Sequence, residues 1–534
     1  MSGIQGPEGQ DQAKFVGILG IFQIFPKDSK GANVVVQKAV TTQKVADHVD
    51  VPTDKLRHCK IVGTLGPSSS NEKTIRALLD AGLNIVRLNF SHGDHETHAK
   101  NIEMVRRIAK ETNRQVAILQ DLQGPKIRCG KLLKEPMEIK AGSQFDLVYG
   151  AAQTDPTIIP IDYRELVHDV SVGQRVMMDD GLLIFEITKI EGDRVTVIAK
   201  EGGLLKSRKG VNFPDAKLSL PAMTEKDSRD LLFGIAHRVD FVALSFVQDP
   251  EDVRQLKNMI RALGSDVPVV AKIEKISAVN DIEAIAEISD VLMVARGDLG
   301  VEANVERVPG FQKRIVEAAA RLGRPVIIAT QMLESMIQSP RASISEVADV
   351  ANGVLDGADC LMLSAEVASG KYPVESVTKM ASIIQQVENW TSRKPVRYLH
   401  ESARIQTANV AWTENEAIAR AACEAADALG ARAIVCLTLT GNIAHSIARW
   451  RPKTPVIAIS PRLDVVQRLA MVWGVYGIQN PLFYNTDTLL QNIPRTLLNL
   501  KLAKPGELIV ITAGIPITQV RPTNMVKINR IPME

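Results

Sequence analysis

The sequence predicts an α/β protein whose largest part is a (β/α)8 TIM barrel. Eight short apolar runs, each ending in a polar or glycine-bearing segment, follow one another between residues 60 and 366. Amphipathic stretches of helical period separate most of them, and eight such units close a barrel. Runs that are apolar throughout are typical of parallel strands covered by helices. The runs are KIVGTLG (60–66), NIVRLNF (84–90), QVAILQD (115–121), VDFVALSF (239–246), PVVAKIE (268–274), DVLMVARG (290–297), RPVIIATQ (324–331) and ADCLMLSAE (358–366).

The barrel pattern is interrupted once, between the third and fourth runs. Residues 127–221 contain short alternating runs such as QRVMMDD and DRVTVIAK, glycine turns and almost no helical period. This predicts a small β domain inserted into the barrel. Barrel active sites lie at the carboxyl ends of the strands, so the insertion would cover that face as a lid. The barrel is then assigned to residues 58–126 and 222–395.

A second α/β pattern predicts a separate C-terminal domain, which is assigned to residues 396–534. The α/β pattern itself starts near residue 408. The segment TSRKPVRYLHESARIQT before it is typical of a linker. Residues 1–57 show no sustained period and are predicted to be a loosely ordered extension. The elements expected in the C-terminal domain are a helix at 414–429, RAIVCL, a helix from 442, PVIAIS, a helix from 462 and ELIVIT near 508.

Composition limits the classes of function. The 64 basic residues nearly balance 61 acidic ones, for a net charge of +3, which argues against nucleic-acid or membrane-surface binding driven by bulk charge. Five scattered cysteines without a CxxC pair are typical of a reducing compartment, so a cytoplasmic protein is expected. The apolar run FVGILGIFQIF at 15–25 is shorter than the about 20 residues that a spanning helix needs.

Polar and charged side chains collect where the predicted barrel strands end. Lys272 and Glu274 alternate at strand spacing and should face the same side, with Asp298 arriving from the next strand. Two carboxylates beside a lysine suit Mg²⁺, which keeps water ligands and takes further oxygens from a substrate. The strand-end set comprises Arg87, Asn89, Ser91, Asp121, Lys272, Glu274, Arg296, Asp298, Thr330 and Glu366.

Phosphoryl transfer is the simplest reaction class for this set. Gly297 could bring backbone N–H groups close to an anion, and Arg87 and Arg128 could neutralise phosphate oxygens. No GxSxG element, Walker A motif or GxGxxG motif is present. The histidines of SHGDHETH do not form an HExxH motif, so a metal site is not expected there.

The ordered motifs NFSHG, QGPKIR, KGVN, AKIE, ARGDLG, ATQMLESM and DVANGVLDGADCLMLSAE resemble those of pyruvate kinases, from about residue 58 to the end. This resemblance implies phosphoryl transfer from phosphoenolpyruvate to ADP, giving pyruvate and ATP in the last step of glycolysis. It further implies a Mg²⁺ or Mn²⁺ cofactor and a homotetramer.

The resemblance also implies roles for individual residues. Lys272 would stabilise the transferring phosphoryl group and the developing enolate, with Arg87 at the phosphate and Thr330, or water beside it, near the carbon that is protonated. Glu274 and Asp298 would hold the metal. Those implied to bind substrate are Arg87, Lys272, Gly297, Asp298 and Thr330, and those implied to serve the nucleotide are Asn89, His92, Arg128 and Lys209.

The stretch QDLQGPKIR departs from the family pattern. Many members need K⁺, held at positions matching Asn89, Ser91, Asp121 and the following carbonyl, and carry a glutamate where Lys126 stands. A tethered ammonium could supply the charge that K⁺ brings, so K⁺ is not expected to be required and the chain resembles the potassium-independent branch. The alternative is an exposed lysine in a turn.

Other departures leave further alternatives open. Ile344 replaces a family arginine, Val367 a threonine and Ser369 a lysine, which is compatible with a catalytically weakened regulatory paralogue. A Mg²⁺-dependent lyase on the same barrel is a second alternative, opposed by the lid. In the C-terminal domain, a sugar-phosphate effector loop keeps Thr438, Thr440 and Gly441 but has Ile443 where a hydroxyl often lies, so fructose 1,6-bisphosphate is doubtful as the effector.

Overall fold

The computed structural model describes residues 56–150, 152–392, 412–480, 486–516 and 521–533. The expectations for residues 1–55 and for most of the linker, residues 393–411, lie outside the described residues. Within the described ranges, no helix is long and apolar enough to cross a membrane.

The first part of the barrel alternates buried strands with capped helices. Helix α1 begins where the side chain of Asn71 accepts a hydrogen bond from the N–H of Thr74, and it ends at Gly82, whose φ of 107° suits glycine. Every residue of β1 and β3 is buried, as strands between a barrel core and outer helices must be. The elements are β1 Lys60–Thr64, α1 Glu72–Ala81, β2 Ile85–Asn89, α2 His95–Glu111 and β3 Ala117–Asp121.

The lid follows β3 and has its own apolar core. Side chains of β9 alternate between buried and exposed, which gives its sheet one face towards that core. The sheet has the order β11-β7-β8-β9-β5-β6, and β10 pairs with β4. The elements are β4 Met137–Ile139, β5 Gln144–Tyr149, β6 Ile158–Ile161, α3 Leu166–Asp169, β7 Arg175–Met178, β8 Leu183–Glu191, β9 Arg194–Glu201, β10 Gly203–Leu205 and β11 Val211–Asn212.

The second part of the barrel supplies the remaining strands and closes the sheet. The strands form a closed barrel in the order β1-β16-β15-β14-β13-β12-β3-β2, and each of the eight apolar runs contains one strand. The predicted fold class is thereby confirmed. The elements are α4 Glu225–Ala236, β12 Phe241–Leu244, α5 Pro250–Ala262, β13 Val269–Ile273, α6 Ile276–Asn280, α7 Ile282–Ile288, β14 Val291–Ala295, α8 Arg296–Glu302, α9 Val308–Leu322, β15 Val326–Ala329, α10 Ile344–Asp356, β16 Cys360–Leu363, α11 Ala365–Ala368 and α12 Pro373–Ser392.

The C-terminal domain is a five-stranded sheet in the order β19-β18-β17-β20-β21, with β21 antiparallel to β20. The sequence analysis did not anticipate β19, α16 or β21. Helix α16 carries Pro494 in its interior, and β21 is an edge strand without a buried residue. The elements are α13 Glu414–Leu429, β17 Ala433–Leu437, α14 Asn442–Arg449, β18 Val456–Ser460, α15 Leu463–Arg468, β19 Val475–Gln479, α16 Thr486–Asn499, β20 Leu508–Ala513 and β21 Met525–Arg530.

An ion pair joins the C-terminal domain to the base of the barrel. Arg451, which follows α14, donates to both carboxylate oxygens of Asp359 at 3.1 and 3.0 Å. Asp359 directly precedes β16, and its Oδ2 also accepts from the N–H of Val326 at 3.0 Å. The opposite end of the barrel, where the strands end, remains available to the lid.

Candidate active site

The centre of the barrel mouth is the ammonium group of Lys272, at the end of β13. Its Nζ lies 2.9 Å from Glu274 Oε1 and 3.3 Å from Asp121 Oδ1, and it donates to Ser245 Oγ at 2.8 Å. Lys272 and Glu274 face the same side, as their strand spacing predicts, and the adjacent strands β12 and β3 contribute the other two partners. A buried ammonium is thus held by three oxygen-bearing side chains.

Two cations flank the carboxylate of Asp121. Arg87 Nε donates to Asp121 Oδ2 at 2.7 Å, and Arg87 Nη1 donates to Thr64 Oγ1 at 3.0 Å. Burial alone would raise the pKa of Asp121, but Lys272 and Arg87 outweigh it and the pKa lies below its usual value. Burial lowers the pKa of Lys272, yet Asp121 and Glu274 raise it above the ordinary value. Lys272 therefore stays protonated at neutral pH.

Glu274 and Asp298 have the features of a divalent-cation site. Glu274 Oε2 accepts from the N–H of Phe246 at 2.6 Å, whereas Oε1 is buried without a hydrogen bond. Lys272 lies within ion-pair distance of that oxygen but does not satisfy hydrogen-bond geometry. Burial raises the pKa of Glu274, Lys272 lowers it and Asp298 raises it, for a result of about 7. A buried carboxylate oxygen that accepts no hydrogen bond and lies near a second carboxylate suits a hard cation.

The donor set is small, which also suits Mg²⁺ or Mn²⁺. Among the described residues, no group of three or more histidine, cysteine, aspartate or glutamate side chains could hold a metal ion. A cation bound by Glu274 and Asp298 would therefore complete its shell with water and substrate oxygens, as Mg²⁺ commonly does.

Thr330 and Gly297 meet at the ends of β15 and β14. The N–H of Gly297 donates to Thr330 Oγ1 at 2.9 Å. Thr330 and Gln331 have φ angles of 71° and 54°, a left-handed conformation that costs free energy for non-glycine residues. Arg296 Nη2 donates to both of their carbonyl oxygens, at 2.6 and 3.1 Å, and Asp349 pairs with the guanidinium at 2.8 Å. Arg296 thus fixes the backbone that presents the Thr330 hydroxyl.

The residues expected to serve the nucleotide fall into two sets. Asn89 ends β2 and His92 follows it; Asn89 Oδ1 accepts from the N–H of Ser91 at 3.1 Å, and His92 is exposed. Arg128 and Lys209 belong to the lid and are linked through their backbones, because Arg128 bridges to Gly210 and Cys129 donates to the carbonyl of Lys209. No hydrogen bond between the two sets occurs among the described residues.

The charged groups of the lid set already have partners. Arg128 Nη1 donates to the carbonyl of Arg208 at 3.1 Å. Lys209 Nζ lies 2.6 Å from Asp179 Oδ1, and this hydrogen bond raises the pKa of Lys209. A phosphate at Lys209 would compete with Asp179.

The histidines of SHGDHETH do not point to a common centre. His95 Nε2 lies 2.7 Å from Asp230 Oδ1, and His98 Nε2 bonds to the carbonyl of His92 at 2.9 Å. Each of the two rings thus has a separate structural partner.

A cleft of about 470 Å³, including its open mouth, lies between the lid and the barrel. Lys126 has no hydrogen bond or ion pair through its side chain among the described residues. Its Cε lies against Gly210, where a β-carbon would approach it to 3.0 Å. Asn212 Nδ2 donates to Glu302 Oε1 at 3.0 Å and so joins the lid to α8. The polar residues that line the cleft include Lys126, Asn212, Gln248, Lys275, Asp298 and Glu302.

Two residues of the site were not predicted from the sequence. Ser245 follows β12 and could have been found by the strand-end rule, whereas Asp349 lies on α10 and its pairing with Arg296 has no local signal. Glu366 was grouped with the strand-end set, but its oxygens accept from the N–H groups of Leu333 at 3.2 Å and Ser364 at 2.8 Å. Glu366 therefore caps two loops.

The loop at the end of β17 closes on itself. Thr438 Oγ1 accepts from the N–H of Gly441 at 2.8 Å, and Gly441 has a φ of 88°. Thr440 Oγ1 accepts from the N–H of Asn442 at a longer 3.5 Å. Ile443 is 2% exposed and packs in the domain core, so it presents nothing to a ligand.

Comparisons with known proteins agree along most of the chain. The family model "Pyruvate kinase, barrel domain" matches residues 56–377, and "Pyruvate kinase, alpha/beta domain" matches residues 416–529. Pyruvate kinase 2 of Synechocystis sp. is 44% identical over 466 residues, covering 86% of this chain and 76% of that protein. A pyruvate kinase of Clostridium acetobutylicum is 40% identical over 475 residues, covering 89% and 99%. The crystal structure of a pyruvate kinase from Cryptosporidium parvum superposes with a TM-score of 0.85 at 33% identity, covering 90% of this chain and 97% of that one.

The pKa of Glu274 leads to a prediction about metal binding. Since the pKa is raised to about 7, a proton competes with the cation below that pH, and affinity should fall about tenfold for each pH unit lost. We expect Mn²⁺ to bind more weakly at pH 6 than at pH 8, as measured by the electron paramagnetic resonance signal of free Mn²⁺ without substrates. Glu274→Gln should lose most of the affinity and this pH dependence. Equal affinity of the unaltered protein at the two pH values would contradict the assignment.

Proposed function

We propose how the side chains share the work of catalysis, on the premise that the chain belongs to the pyruvate kinase family and is a phosphotransferase that converts phosphoenolpyruvate and ADP into pyruvate and ATP. The observation that carries the proposal is the ion pair between the buried Lys272 ammonium and Glu274 Oε1, an oxygen that accepts no hydrogen bond. A phosphoryl group carries negative charge on its oxygens during transfer and is stabilised by positive charge around them. The electrostatic attraction between these charges is stronger where the site is shielded from water.

Lys272 and Arg87 are the proposed ligands of the phosphoryl group of phosphoenolpyruvate. Lys272 would also stabilise the negative charge that develops on the enolate oxygen once the phosphoryl group leaves. Glu274 and Asp298 would hold Mg²⁺ or Mn²⁺, which when bound neutralises phosphoryl charge and orients the substrate. The support is that Arg87 and Lys272 converge on one carboxylate, Asp121, so their positions are fixed before the substrate arrives.

The backbone of Gly297 and Asp298 and the hydroxyl of Thr330 are proposed to bind the substrate carboxylate. The N–H of Gly297 donates to Thr330 Oγ1 and the Thr330 hydroxyl donates to the carbonyl of Ala329 at 2.6 Å, so a carboxylate that accepts from both groups would replace these two bonds. The hydroxyl of Thr330, or a water beside it, would then lie near the enolate carbon, to which a proton must be delivered to form pyruvate. Arg296 maintains this arrangement through the two carbonyl oxygens that it binds.

Replacing Lys272 tests the assignment. We expect Lys272→Met to lower kcat in a coupled assay for pyruvate by about 10²-fold to 10³-fold, because the charge that stabilises the transition state is lost. Lys379→Met, at an exposed position on α12, is the matched control and should keep its activity. Circular dichroism should show both variants folded. A folded Lys272→Met enzyme with normal kcat would overturn the proposed mechanism.

Asn89, His92, Arg128 and Lys209 are proposed to serve the nucleotide. Arg128 and Lys209 lie on two segments of lid backbone that are hydrogen-bonded to each other, and such a pair could draw the lid towards phosphate groups. The ion pair between Lys209 and Asp179 would open for this purpose.

Lys126 is proposed to take the place of the monovalent cation, so that K⁺ is not required. The family's cation site would involve Asn89, Ser91 and Asp121, but Asp121 here already has two cationic partners. Lys126 lines the cleft together with Asp298 and has no side-chain partner among the described residues. An ammonium in that position would attract substrate phosphate without a bound ion.

Exchange of cations in solution tests the role of Lys126. We expect activity to stay within about twofold when tetramethylammonium replaces K⁺, because a tethered charge does not exchange. Lys126→Glu should lower activity about tenfold without K⁺ and regain part of it when K⁺ is added. Lys134→Glu makes the same charge change at an exposed lid position and serves as the control. A strict K⁺ requirement of the unaltered enzyme would refute the proposal.

The C-terminal domain is proposed to regulate the enzyme in a cytoplasmic homotetramer, with Thr438, Thr440 and Gly441 forming an effector loop. The loop offers hydroxyls and backbone N–H groups, but its N–H groups at Gly441 and Asn442 already have hydroxyl acceptors. A phosphate would thus have to replace internal bonds, with no hydroxyl at Ile443 to help. Analytical ultracentrifugation would test the tetramer.

Titration of effectors tests the loop. We expect a nucleoside monophosphate or a sugar monophosphate to raise velocity at low phosphoenolpyruvate more than fructose 1,6-bisphosphate does, since the loop has few free donors for a second phosphate. Thr438→Val should abolish the response while leaving velocity at saturating substrate unchanged. A response that survives Thr438→Val would place the effector elsewhere.

A further inference from the structure

Lys275 is a buried cation without a partner. It directly follows Glu274 at the end of β13, is 9% exposed and lines the cleft between lid and barrel. Among the described residues, no hydrogen bond or ion pair of its ammonium group is present. Burial of an ammonium is costly unless an anion or several acceptors compensate.

The other buried lysines of the described residues show what such compensation looks like. Lys60 is 2% exposed, donates to the carbonyl of Val475 at 2.8 Å and lies 3.9 Å from the ring centroid of Tyr476. Lys272, also 9% exposed, has three oxygen-bearing partners. Lys275 has the same exposed fraction as Lys272 but no such group among the described residues, and its ammonium nitrogen is not fully buried, so it can take a partner from outside the folded chain.

The cleft indicates what kind of molecule that partner is. An ammonium has three donors and no acceptor, so it binds oxygen-rich anions. Lys126 lines the same cleft, as does Asp298, one of the two proposed metal ligands. Two lysines around a metal-binding carboxylate suit a polyphosphate, whose oxygens can reach both ammonium groups and the metal.

We propose that Lys275 is a ligand of the terminal phosphate of the nucleoside diphosphate, an inference that rests on the proposed binding of phosphoenolpyruvate at Arg87 and Lys272. Those two residues account for the phosphate of one substrate, and the other anionic substrate is the nucleotide. Lys275 lines the cleft together with Asp298, so a phosphate bound to it lies beside the proposed metal site and near the phosphoryl group that it receives. Lys275 then acts by drawing the accepting phosphate oxygen towards that group.

A counter-ion role is the competing explanation. Lys275 could merely offset the charge of Asp298 and Glu302, which line the same cleft. However, neither carboxylate forms an ion pair with it, and Glu302 accepts a hydrogen bond from Asn212. The two explanations differ in their effect on metal binding, because removal of a counter-ion should strengthen binding of a divalent cation at the neighbouring carboxylates.

Steady-state kinetics of Lys275→Met test the proposal. We expect the KM for ADP to rise about tenfold, the loss typical of one charge-assisted hydrogen bond, while the KM for phosphoenolpyruvate changes less than twofold. Lys275→Arg keeps the charge and should recover most of the ADP affinity. Lys379→Met, an exposed lysine on α12, is the matched control and should match the unaltered enzyme. Isothermal titration with Mg-ADP, without phosphoenolpyruvate, should show the same loss of ADP affinity for Lys275→Met and no such loss for Lys379→Met.

Two results would overturn the inference. The first is unchanged ADP affinity in a folded Lys275→Met enzyme, whether or not kcat falls. The second is tighter Mn²⁺ binding without a change in ADP affinity, which would identify a counter-ion. Failure of the proposed catalytic role of Lys272 can be distinguished from failure of this inference, because it would appear as a normal kcat for Lys272→Met.

Discussion

The buried ammonium of Lys272 is the interaction on which the barrel mouth depends. Desolvation opposes its charge, and Asp121 and Glu274 reverse that effect strongly enough to raise its pKa. The same cation lowers the pKa of Asp121 despite burial. Removal of any one member would leave an uncompensated buried charge, which is far more costly than the loss of the pair itself. The three residues and Ser245 come from neighbouring strands, so closure of the barrel is what assembles them.

Parallel closure explains why much of this site could be predicted from the sequence. Strand ends meet at one rim, so Arg87, Asp121, Lys272 and Glu274 were identifiable as charges at the ends of apolar runs. What could not be predicted depends on side chains from distant helices or from the lid. The pairing of Arg296 with Asp349 spans 53 residues and leaves no periodic trace. Similarly, β21 has little buried surface, and α16 contains a proline that masks its helical pattern.

The departures from the family pattern lie outside the Lys272 centre. Val367 is fully buried in the main apolar core, where a valine methyl replaces a threonine hydroxyl without a need for a hydrogen-bond partner. Ile344 is 89% exposed at the start of α10, the helix that also carries Asp349. Neither position provides a ligand to the metal or phosphoryl groups. The substitutions therefore leave the chemistry of the mouth intact and leave an apolar side chain on the surface.

Lys126 balances the number of cationic and anionic side chains at the barrel mouth and in the cleft. Arg87, Lys126, Lys272 and Lys275 are matched by four carboxylates, those of Asp121, Glu274, Asp298 and Glu302. A glutamate at position 126 would leave three cations against five carboxylates, and two anionic substrates would then approach a negative cleft. A bound monovalent cation offsets half of that excess, whereas Lys126 removes all of it. If the ammonium of Lys126 replaces the monovalent cation, as proposed, the positive charge that attracts the substrates comes from the divalent cation alone.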